Sequence, residues 1–458
     1  MKRSGGGKVV VLLLMAGWII ASLLIGATGA SAAFSQSDLE GTWYLMEKAD
    51  NPTSNRPFWS MATVNVDATG AIMGGTFRNS MGNSGAIPAG GSLTIDATTG
   101  LVNGSAMGIT FPMGKLDASK NILGLAVTEN GGDVGVMIGI KGGGTFAQGD
   151  LEGTWYLIEK GDDTASTDTW WTYVTVTVNA TGQITGGSGY EDDGTPFGII
   201  GGFLAVDASG QVQGSATSNG GTVTFPMGKV SASKTILGLA VGEIGGAEAG
   251  IIMGIKAGGT FTTSDLAGTW HLLEHADNPT ENGPFWSAVT VTVDASGTIL
   301  GGSGTSNDGS VFPITGGTLT IDAAGVVHGT ATGGEGENAG TVTFSHGKMD
   351  IAKNIMMLTV TESGGDLGLM VGIKGGGATP AKVGTFRPSD GTFYLDYNGN
   401  GAWDGCGVDR CLQIGMNGDI PLVGDWNGDG TAKVGTFRPS DGTFYLDYNG
   451  NGAWDGCG

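Results

Sequence analysis

The segment DLEGTWYLMEK at residues 38–48 decides the fold, because it returns as DLEGTWYLIEK at 150–160 and as DLAGTWHLLEH at 265–275. The similarity continues to the ends of the three copies, which close on MIGIKGGG, MGIKAGG and VGIKGGG. Self-similarity along a chain indicates repeated structural units. The sequence therefore predicts three homologous repeats, which we call the first repeat (38–149), the second repeat (150–264) and the third repeat (265–377).

Within each repeat, short segments alternate strictly between apolar and polar residues. VNVDATG (64–70), VTVNATG (176–182) and VTVDASG (291–297) each end in an Asp/Asn-x-x-Gly turn sequence, which is typical of strands joined by tight hairpins. About eight such segments fit in one repeat, and none has a sustained helical period. The prediction is an all-β fold of three tandem antiparallel meanders. Each would close as an eight-stranded barrel without exposed edges, with a two-sheet sandwich as the alternative.

A short motif on the first predicted strand gives a resemblance to a known superfamily. Gly41–Trp43, Gly153–Trp155 and Gly268–Trp270 are similar to the G-x-W signature of the calycins, the lipocalin and avidin-like barrels. In lipocalins that Trp closes one barrel end beneath a basic side chain from the last strand, so the resemblance implies a cation–π contact here. Alternatively, the Trp is a core residue and the basic residue lies in solvent at the end of its strand. The basic residues in question are Lys141, Lys256 and Lys374.

The resemblance also implies a ligand cavity, and the first strand offers a polar group for it. Side chains alternate along a strand, so the Glu four residues after each Trp lies on the face of that Trp. A carboxylate inside a barrel needs a partner and would orient a ligand. Alternatively, this Glu lies at the far end of its strand, in solvent. The candidate ligand-binding residues are Trp43, Glu47, Trp155, Glu159, Trp270 and Glu274.

The charge of the chain excludes one large class of partners. With 43 acidic and 21 basic residues, the formal net charge is -22. Binding to a phosphate backbone requires clustered Lys and Arg. We therefore expect no nucleic-acid partner.

The N-terminus predicts export. Residues 1–8 carry three positive charges, residues 9–27 are almost wholly apolar, and Ala-Ser-Ala at 30–32 has the small-x-small pattern of a signal-peptidase site. We read residues 1–32 as a signal peptide. If it stayed uncleaved, the apolar run would anchor the chain in a membrane. In both cases the body lies outside the cytoplasm, in the extracellular space or at the cell surface, with the periplasm as a further location.

Catalytic motifs are not evident in the sequence. The four His all fall in the third repeat, so the repeats share no His-based site. Acid pairs such as Glu362 and Asp366 flank Gly-Gly hairpin turns and are interpreted as solubilising charges. We therefore predict a protein that is not an enzyme.

The composition changes at Ala378, where a second kind of repeat begins. Residues 381–407 and 432–458 are identical, and GDIPLVGDWNGDG lies between them. The unit over 378–458 resembles FG-GAP or VCBS-type repeats, whose full arrays form β-propellers with calcium-binding loops between strands. The resemblance thus implies an incomplete, propeller-like array that holds Ca²⁺.

The spacing of oxygen-bearing residues fits that implication, because alternate loop positions place their oxygens around one ion. The loop lacks the Glu at position 12 that a helical EF-hand requires, since Gly407 stands there. In the two identical copies the candidate ligands are Asp396, Asn398, Asn400, the carbonyl of Ala402 and Asp404, and then Asp447, Asn449, Asn451, Ala453 and Asp455. The linking segment adds Asp425, Asn427 and Asp429.

Cysteine positions complete the description of the C-terminal part. Cys406 and Cys411 bracket a four-residue loop in an exported chain, which favours a local disulfide. Cys457 is the repeat equivalent of Cys406, but the chain ends before an equivalent of Cys411. We therefore expect the array at 378–458 to be truncated.

These observations predict an exported, non-enzymatic binding or adhesion protein whose C-terminal repeats are stabilised by calcium. Its extracellular ligand or surface partner is not specified by the sequence. A first alternative is a carrier of small hydrophobic ligands that uses the barrel cavities. A second is an accessory part of a secreted enzyme whose catalytic region lies elsewhere.

Overall fold

The computed structural model describes residues 34–53, 56–242, 246–280, 283–334 and 340–375, and in the C-terminal part 384–395, 403, 405–406, 409–424, 426, 433–448, 452–454 and 456. The chain divides into two compact units. One contains the three repeats and the other contains residues 378–458. Each is described by itself below.

The first repeat begins with a 3₁₀ turn at Gln36–Leu39 and continues as nine strands. These are β1 Gly41–Asp50, β2 Phe58–Val66, β3 Ile72–Asn79, β4 Ser84–Ile87, β5 Ser92–Ile95, β6 Leu101–Ala106, β7 Ile109–Leu116, β8 Ile122–Glu129 and β9 Val134–Lys141.

The second repeat has the same plan, with a 3₁₀ turn at Gln148–Leu151. Its strands are β10 Gly153–Asp163, β11 Thr169–Val178, β12 Gln183–Glu191, β13 Pro196–Val206, β14 Val212–Ser218, β15 Gly221–Phe225, β16 Gly228–Val230, β17 Ile236–Val241 and β18 Glu248–Lys256.

The third repeat follows after a 3₁₀ turn at Thr263–Leu266. Its strands are β19 Gly268–Asp277, β20 Phe285–Val293, β21 Ile299–Ser306, β22 Val311–Ile321, β23 Val327–Gly333, β24 Gly340–Phe344, β25 Gly347–Met349, β26 Ile355–Glu362 and β27 Leu367–Lys374.

Each repeat is a closed antiparallel barrel. In the first repeat the strand order is β4-β3-β2-β1-β9-β8-β7-β6-β5, so the first strand pairs with the last. The two ends of this order meet where the Leu93 amide donates to the Gly70 carbonyl at 2.9 Å. The all-β barrel prediction is confirmed, and the sandwich alternative is not the one adopted.

The nine strands occupy eight positions around each barrel. The single strand β13 of the second repeat corresponds to β4 and β5 together in the first, and β15 and β16 correspond to β7. One wall strand is thus broken in two in every repeat. The sequence pattern missed β4 because Ser84–Ile87 is short and lacks a clear alternation.

The Asp/Asn-x-x-Gly turns join the strands as predicted. Asp67 accepts hydrogen bonds from the amides of Thr69 and Ala71, at 2.8 and 2.9 Å. Gly70 closes the turn with φ of +83°, which is a backbone conformation that glycine adopts without a steric penalty.

The three barrels pack against one another around a shared apolar core. Strands β1 and β2 of the first repeat lie on β17 and β18 of the second, β10 and β11 lie on β26 and β27 of the third, and β19 and β20 lie on β8 and β9 of the first. The order therefore closes on itself. The shared core takes residues from all three repeats, among them Trp59, Ile140, Trp171, Ile255, Leu369 and Ile373.

Side-chain contacts repeat the same cyclic order. Lys229 of the second repeat lies 4.7 Å from the Tyr44 ring of the first, and Lys348 of the third lies 5.2 Å from the Tyr156 ring of the second. Tyr44 and Tyr156 correspond to His271 in the third repeat. Burial and nearby Lys115 of the first repeat lower the pKa of His271 to about 4.

The described part of the C-terminal unit consists of two three-stranded antiparallel sheets. Their orders are β28-β29-β30 and β31-β32-β33, and Phe393, Ile414 and Val434 form a small core. The propeller-type repeat stays a prediction. The strands are β28 Gly384–Arg387, β29 Thr392–Leu395, β30 Arg410–Gln413, β31 Ile420–Gly424, β32 Lys433–Arg438 and β33 Thr443–Leu446.

Within the described ranges, no helix has the length and apolar character needed to cross a membrane. The predicted signal peptide, 1–32, lies outside the described residues.

Candidate functional site: the cavities of the three barrels

The Trp that occupies the same position in all three repeats closes one end of each barrel. The three indoles are fully buried. Each indole N–H donates to the carbonyl of the last residue of the 3₁₀ turn, which for Trp43 is Leu39 at 2.8 Å. The equivalent pairs are Trp155 with Leu151 and Trp270 with Leu266. The turn is thereby fixed across the barrel end.

A Lys from the last strand covers each indole, as the calycin resemblance implied. The distances from Nζ to the Trp ring centroid are 5.4, 5.5 and 5.3 Å for Lys141, Lys256 and Lys374. Each ammonium also donates to a backbone carbonyl of the 3₁₀ turn, for example Lys141 to Asp38 at 2.7 Å. These Lys side chains stabilise the closed end, so the alternative of a solvated strand end does not hold.

The Glu side chains on the same face are buried rather than solvated. Glu47 and Glu274 are each 2% exposed. A hydroxyl from the neighbouring strand donates to one oxygen of each carboxyl group, from Ser60 to Glu47 and from Ser287 to Glu274. The other oxygen, Oε1, has no hydrogen-bond partner in either residue. In the second repeat Thr172 donates to Glu159 at 3.1 Å.

Burial makes these carboxyl groups weak acids. It raises the pKa of Glu47 to about 8 and that of Glu159 to about 7. Burial, and then the nearby Glu362, raise the pKa of Glu274 well above its ordinary value. The proton that these groups retain at neutral pH lowers the cost of burying them.

The three barrel interiors differ greatly in volume. The cavity is about 590 Å³ in the third repeat, about 300 Å³ in the second and about 60 Å³ in the first. A small-molecule site occupies roughly 300–1,000 Å³. The third barrel therefore has ample room for a ligand, the second is at the lower limit, and the first is filled by its own side chains.

One hairpin accounts for the difference in volume. Gly104, Gly214 and Gly329 occupy equivalent positions, and their cross-strand partners are Phe111, Phe225 and Phe344. The segment between this Gly and its Phe partner is shortest in the first repeat and longest in the third. In all three barrels residues of this hairpin line the cavity. A longer hairpin extends the barrel wall and encloses more space.

The third cavity has an apolar body and a polar mouth. Ser310, Val311 and Thr341 line it and are exposed, so the cavity opens to solvent there. Glu274 and Glu362 also line it. The apolar walls are formed mainly by Val291, Ile299, Leu319, Phe344, Leu358 and Met370, above Trp270.

Glu362 is a site residue that the sequence interpretation missed. It was assigned to solubilising charge at a hairpin, but it lies half-buried on the cavity wall. Burial and then Asp366 raise its pKa to about 7. The available signal was its position on β26, which is separated from the first strand β19 by β27 alone in the strand order.

A second group of buried charges lies between the barrels. Lys48 Nζ is 2.6 Å from Asp50 of its own repeat and 2.7 Å from Asp162 of the next. Lys160 likewise pairs with Asp162. The third repeat has His275 at this position, with Nε2 3.4 Å from Asp50.

These charges influence one another strongly. Burial, then Lys48 and Lys160, lower the pKa of His275 well below its ordinary value, although the Val134 backbone opposes the shift. Burial alone would raise the pKa of Asp162, but Lys160 and Lys48 hold it low. Burial raises the pKa of Asp50 to about 7. The cluster therefore balances two ammonium groups against carboxyl groups, of which Asp50 retains a proton most readily.

Most of the predicted calcium ligands lie outside the described residues. These are Asp396, Asn398, Asn400, Ala402, Asp404, Asp425, Asn427, Asp429, Asn449, Asn451 and Asp455. Asp447 and Ala453 are described. The Asp447 carboxylate is buried and accepts a hydrogen bond from the Gly452 amide at 2.9 Å. In the same unit Cys406 and Cys411 form a disulfide.

Comparison with known proteins gives little guidance. No protein-family model and no curated protein matches the chain. A variant of transferrin-binding protein B from Haemophilus parasuis is 10% identical, covering 73% of this chain and 76% of the other with a TM-score of 0.24. Transferrin-binding protein B from Neisseria meningitidis is 12% identical, with coverages of 73% and 77% and a TM-score of 0.23.

A further solved structure, a protein of unknown function from Nostoc punctiforme in family DUF3598, is 8% identical. It covers 50% of this chain and 99% of the other, with a TM-score of 0.18. At these scores the likenesses do not bear on function, which has to be argued from the cavities themselves.

Proposed function

We propose that the chain is an exported, non-enzymatic binding protein whose third barrel holds a small, mainly apolar ligand. The observation that carries the proposal is the cavity of about 590 Å³ in the third repeat. Its walls are apolar, and the Oε1 atom of Glu274 is buried there without a hydrogen-bond partner. A few polar groups in an apolar cavity fix a ligand's orientation. The carrier hypothesis is thus favoured over adhesion through the barrel surfaces.

The proposal is tested by titrating the full chain with N-phenylnaphthylamine, a neutral apolar probe whose fluorescence rises on leaving water. We expect one strong site per chain. Ala331 lies on the wall of the third cavity, so Ala331→Phe should narrow the cavity and weaken the signal.

The matched control is Ala216→Phe, at the equivalent position of the second repeat. It should retain the strong site if its melting temperature shows that it folds. Absence of binding to the parent chain, or equal losses in the two variants, would contradict the assignment to the third barrel. In that case the hypothesis of a surface-binding protein would be preferred.

We also propose that the C-terminal loops bind Ca²⁺. The support is the alternate spacing of Asp and Asn and the bond from the Gly452 amide to Asp447. In the full chain, Ca²⁺ should raise the melting temperature of the C-terminal unit. At a hundredfold excess over Kd the stabilisation is about 2.7 kcal/mol.

The double variant Asp396→Ala/Asp447→Ala removes the first ligand of both identical loops. We expect the response to calcium to be greatly reduced in it. Equal melting in calcium and in chelator for the parent chain would mean that the loops are only turns.

A further inference from the structure

The third cavity is lined by two acids and, among the described residues, by no base. Glu274 and Glu362 both line it, and none of the described residues around the cavity is Lys, Arg or His. The ionisation of each influences the other, since Glu362 contributes to the raised pKa of Glu274. A ligand in this cavity therefore meets uncompensated acidic groups.

The hydrogen bonds of Glu274 are only half satisfied. Ser287 donates to Oε2 at 2.6 Å, and Oε1 is buried without a donor. An unpaired buried acceptor costs about 1–3 kcal/mol, and more if it is charged. The unpaired oxygen and the open cavity occur together, so a polar group of the ligand fits beside this carboxyl group.

The other two barrels lack this combination. Glu47 also has an unpaired oxygen, but it does not line the small cavity of the first barrel. Glu159 lines the second cavity, but within the described chain it has no fully buried oxygen that lacks a hydrogen-bond partner. The third barrel is thus the one in which an ample cavity and a buried, unpaired carboxyl oxygen coincide.

The chemistry of two carboxyl groups selects the kind of donor. A hydroxyl group would bond to a protonated carboxyl group, but it supplies no positive charge that would favour ionisation of either acid. An ammonium group offers several N–H donors and a positive charge, which pays for ionising buried carboxyl groups. An apolar body would fill the remaining space between the mouth and Trp270.

We propose that the ligand of the third barrel is an organic ammonium whose N–H groups donate to Glu274 and Glu362 and whose apolar part fills the cavity above Trp270. This assignment rests on the proposed binding function. It specifies the class of ligand: a small primary or secondary amine with a hydrocarbon or aromatic body.

The test compares three probes of equal length, octylamine, octanol and octanoate, by calorimetric titration of the full chain near neutral pH. Hydrogen bonds to charged groups contribute about 1.5–3 kcal/mol, which corresponds to roughly a tenfold to hundredfold tighter binding of octylamine than of octanol. Octylamine should also release protons on binding, because the cation favours ionised carboxylates. Buffers of different ionisation enthalpy detect that release.

Glu274→Gln should weaken octylamine by about tenfold or more and leave octanol nearly unchanged. The matched control Glu47→Gln makes the same substitution in the first barrel and should change neither probe. If octanol or octanoate binds as tightly as octylamine, the ammonium assignment is wrong and the apolar ligand site stands. If none of the probes binds, the proposed function itself fails.

Discussion

At the scale of single residues, the buried Glu of the first barrel makes stability depend on pH. The folded state keeps a proton on Glu47 up to about pH 8, whereas the unfolded chain loses it near the ordinary value of 4.5. The folded chain therefore binds more protons in this window, and its stability falls as the pH rises.

We predict that Glu47→Gln removes this contribution. The amide keeps an oxygen to accept from Ser60 and cannot ionise. Chemical unfolding at about pH 5 should give similar midpoints for parent and variant, and at about pH 8.5 the variant should be the more stable. The control Glu40→Gln, at an exposed site, should follow the parent. A variant that is less stable than the parent at the higher pH would contradict the prediction.

The buried ammonium between the barrels provides a second prediction. Lys48 contacts carboxyl groups of two repeats, so Lys48→Met removes the ammonium partner of Asp50 and leaves Asp162 with Lys160 alone. Removing one partner of a buried ion pair costs about 3–5 kcal/mol. Lys120→Met, which removes a partly exposed pair with Asp38, should cost less than about 1 kcal/mol. Similar shifts in the urea midpoint for the two variants would disagree with the cluster as described.

At the scale of elements, hairpin length sets the capacity of the barrel. Replacing residues 333–340 by Ser-Asn-Gly-Gly, the sequence of 218–221, gives the third repeat the hairpin of the second. We expect the cavity to shrink towards the volume of the second and the affinity for octylamine to fall by at least about tenfold, since apolar contact is lost. Octylamine calorimetry checks the result.

The reciprocal exchange is the control for that experiment. A chain whose second repeat carries the longer hairpin should gain space in its second barrel. It should also keep the site in its third barrel. Unchanged affinity in the shortened variant, with an unchanged melting temperature, would show that the hairpin does not bound the site.

The sequence predicted the elements better than the site. Gly41–Trp43 and the alternating strands were sufficient for a barrel closed at the Trp end, because both features depend on local spacing. Cavity volume depends on the length of one hairpin, and the sequence contained that signal in the spacing from Gly329 to Phe344. The importance of Glu362 could not be read locally, since it depends on the closure of β26 against its neighbours in the barrel.

The packing between repeats was also missed, although the strands carried a sign of it. Val134–Lys141 and Ile122–Glu129 are apolar on both faces, and strands buried on both faces have continuous apolar runs. The alternating pattern of the first strand assigns no partner to Lys48 or Asp50. Their burial depends on a neighbouring repeat that supplies Asp162, and a single strand does not specify that contact.

At the scale of the whole molecule, the cyclic packing predicts that the three barrels hold together without their linkers. The linkers at 143–144 and 258–259 are exposed. Protease sites inserted there should be cut while the three pieces continue to elute together on gel filtration, because the shared core is apolar. Pieces that separate at micromolar concentration would contradict a stable shared core.

Each of the three boundaries between neighbouring barrels is formed by the same two faces of the repeat. The contacts at the boundaries nevertheless differ in detail. Trp171 donates to Thr361 and Trp286 to Thr128, whereas the equivalent indole N–H of Trp59 has no partner, since Gly242 stands in place of Thr. In a homotrimer any such substitution would appear at all three boundaries at once. A single chain encodes every boundary and every barrel separately. One copy can therefore exchange Lys for His, or enlarge its interior, while its two sisters preserve the scaffold, and in this way a nearly symmetric assembly holds three cavities of very different volume.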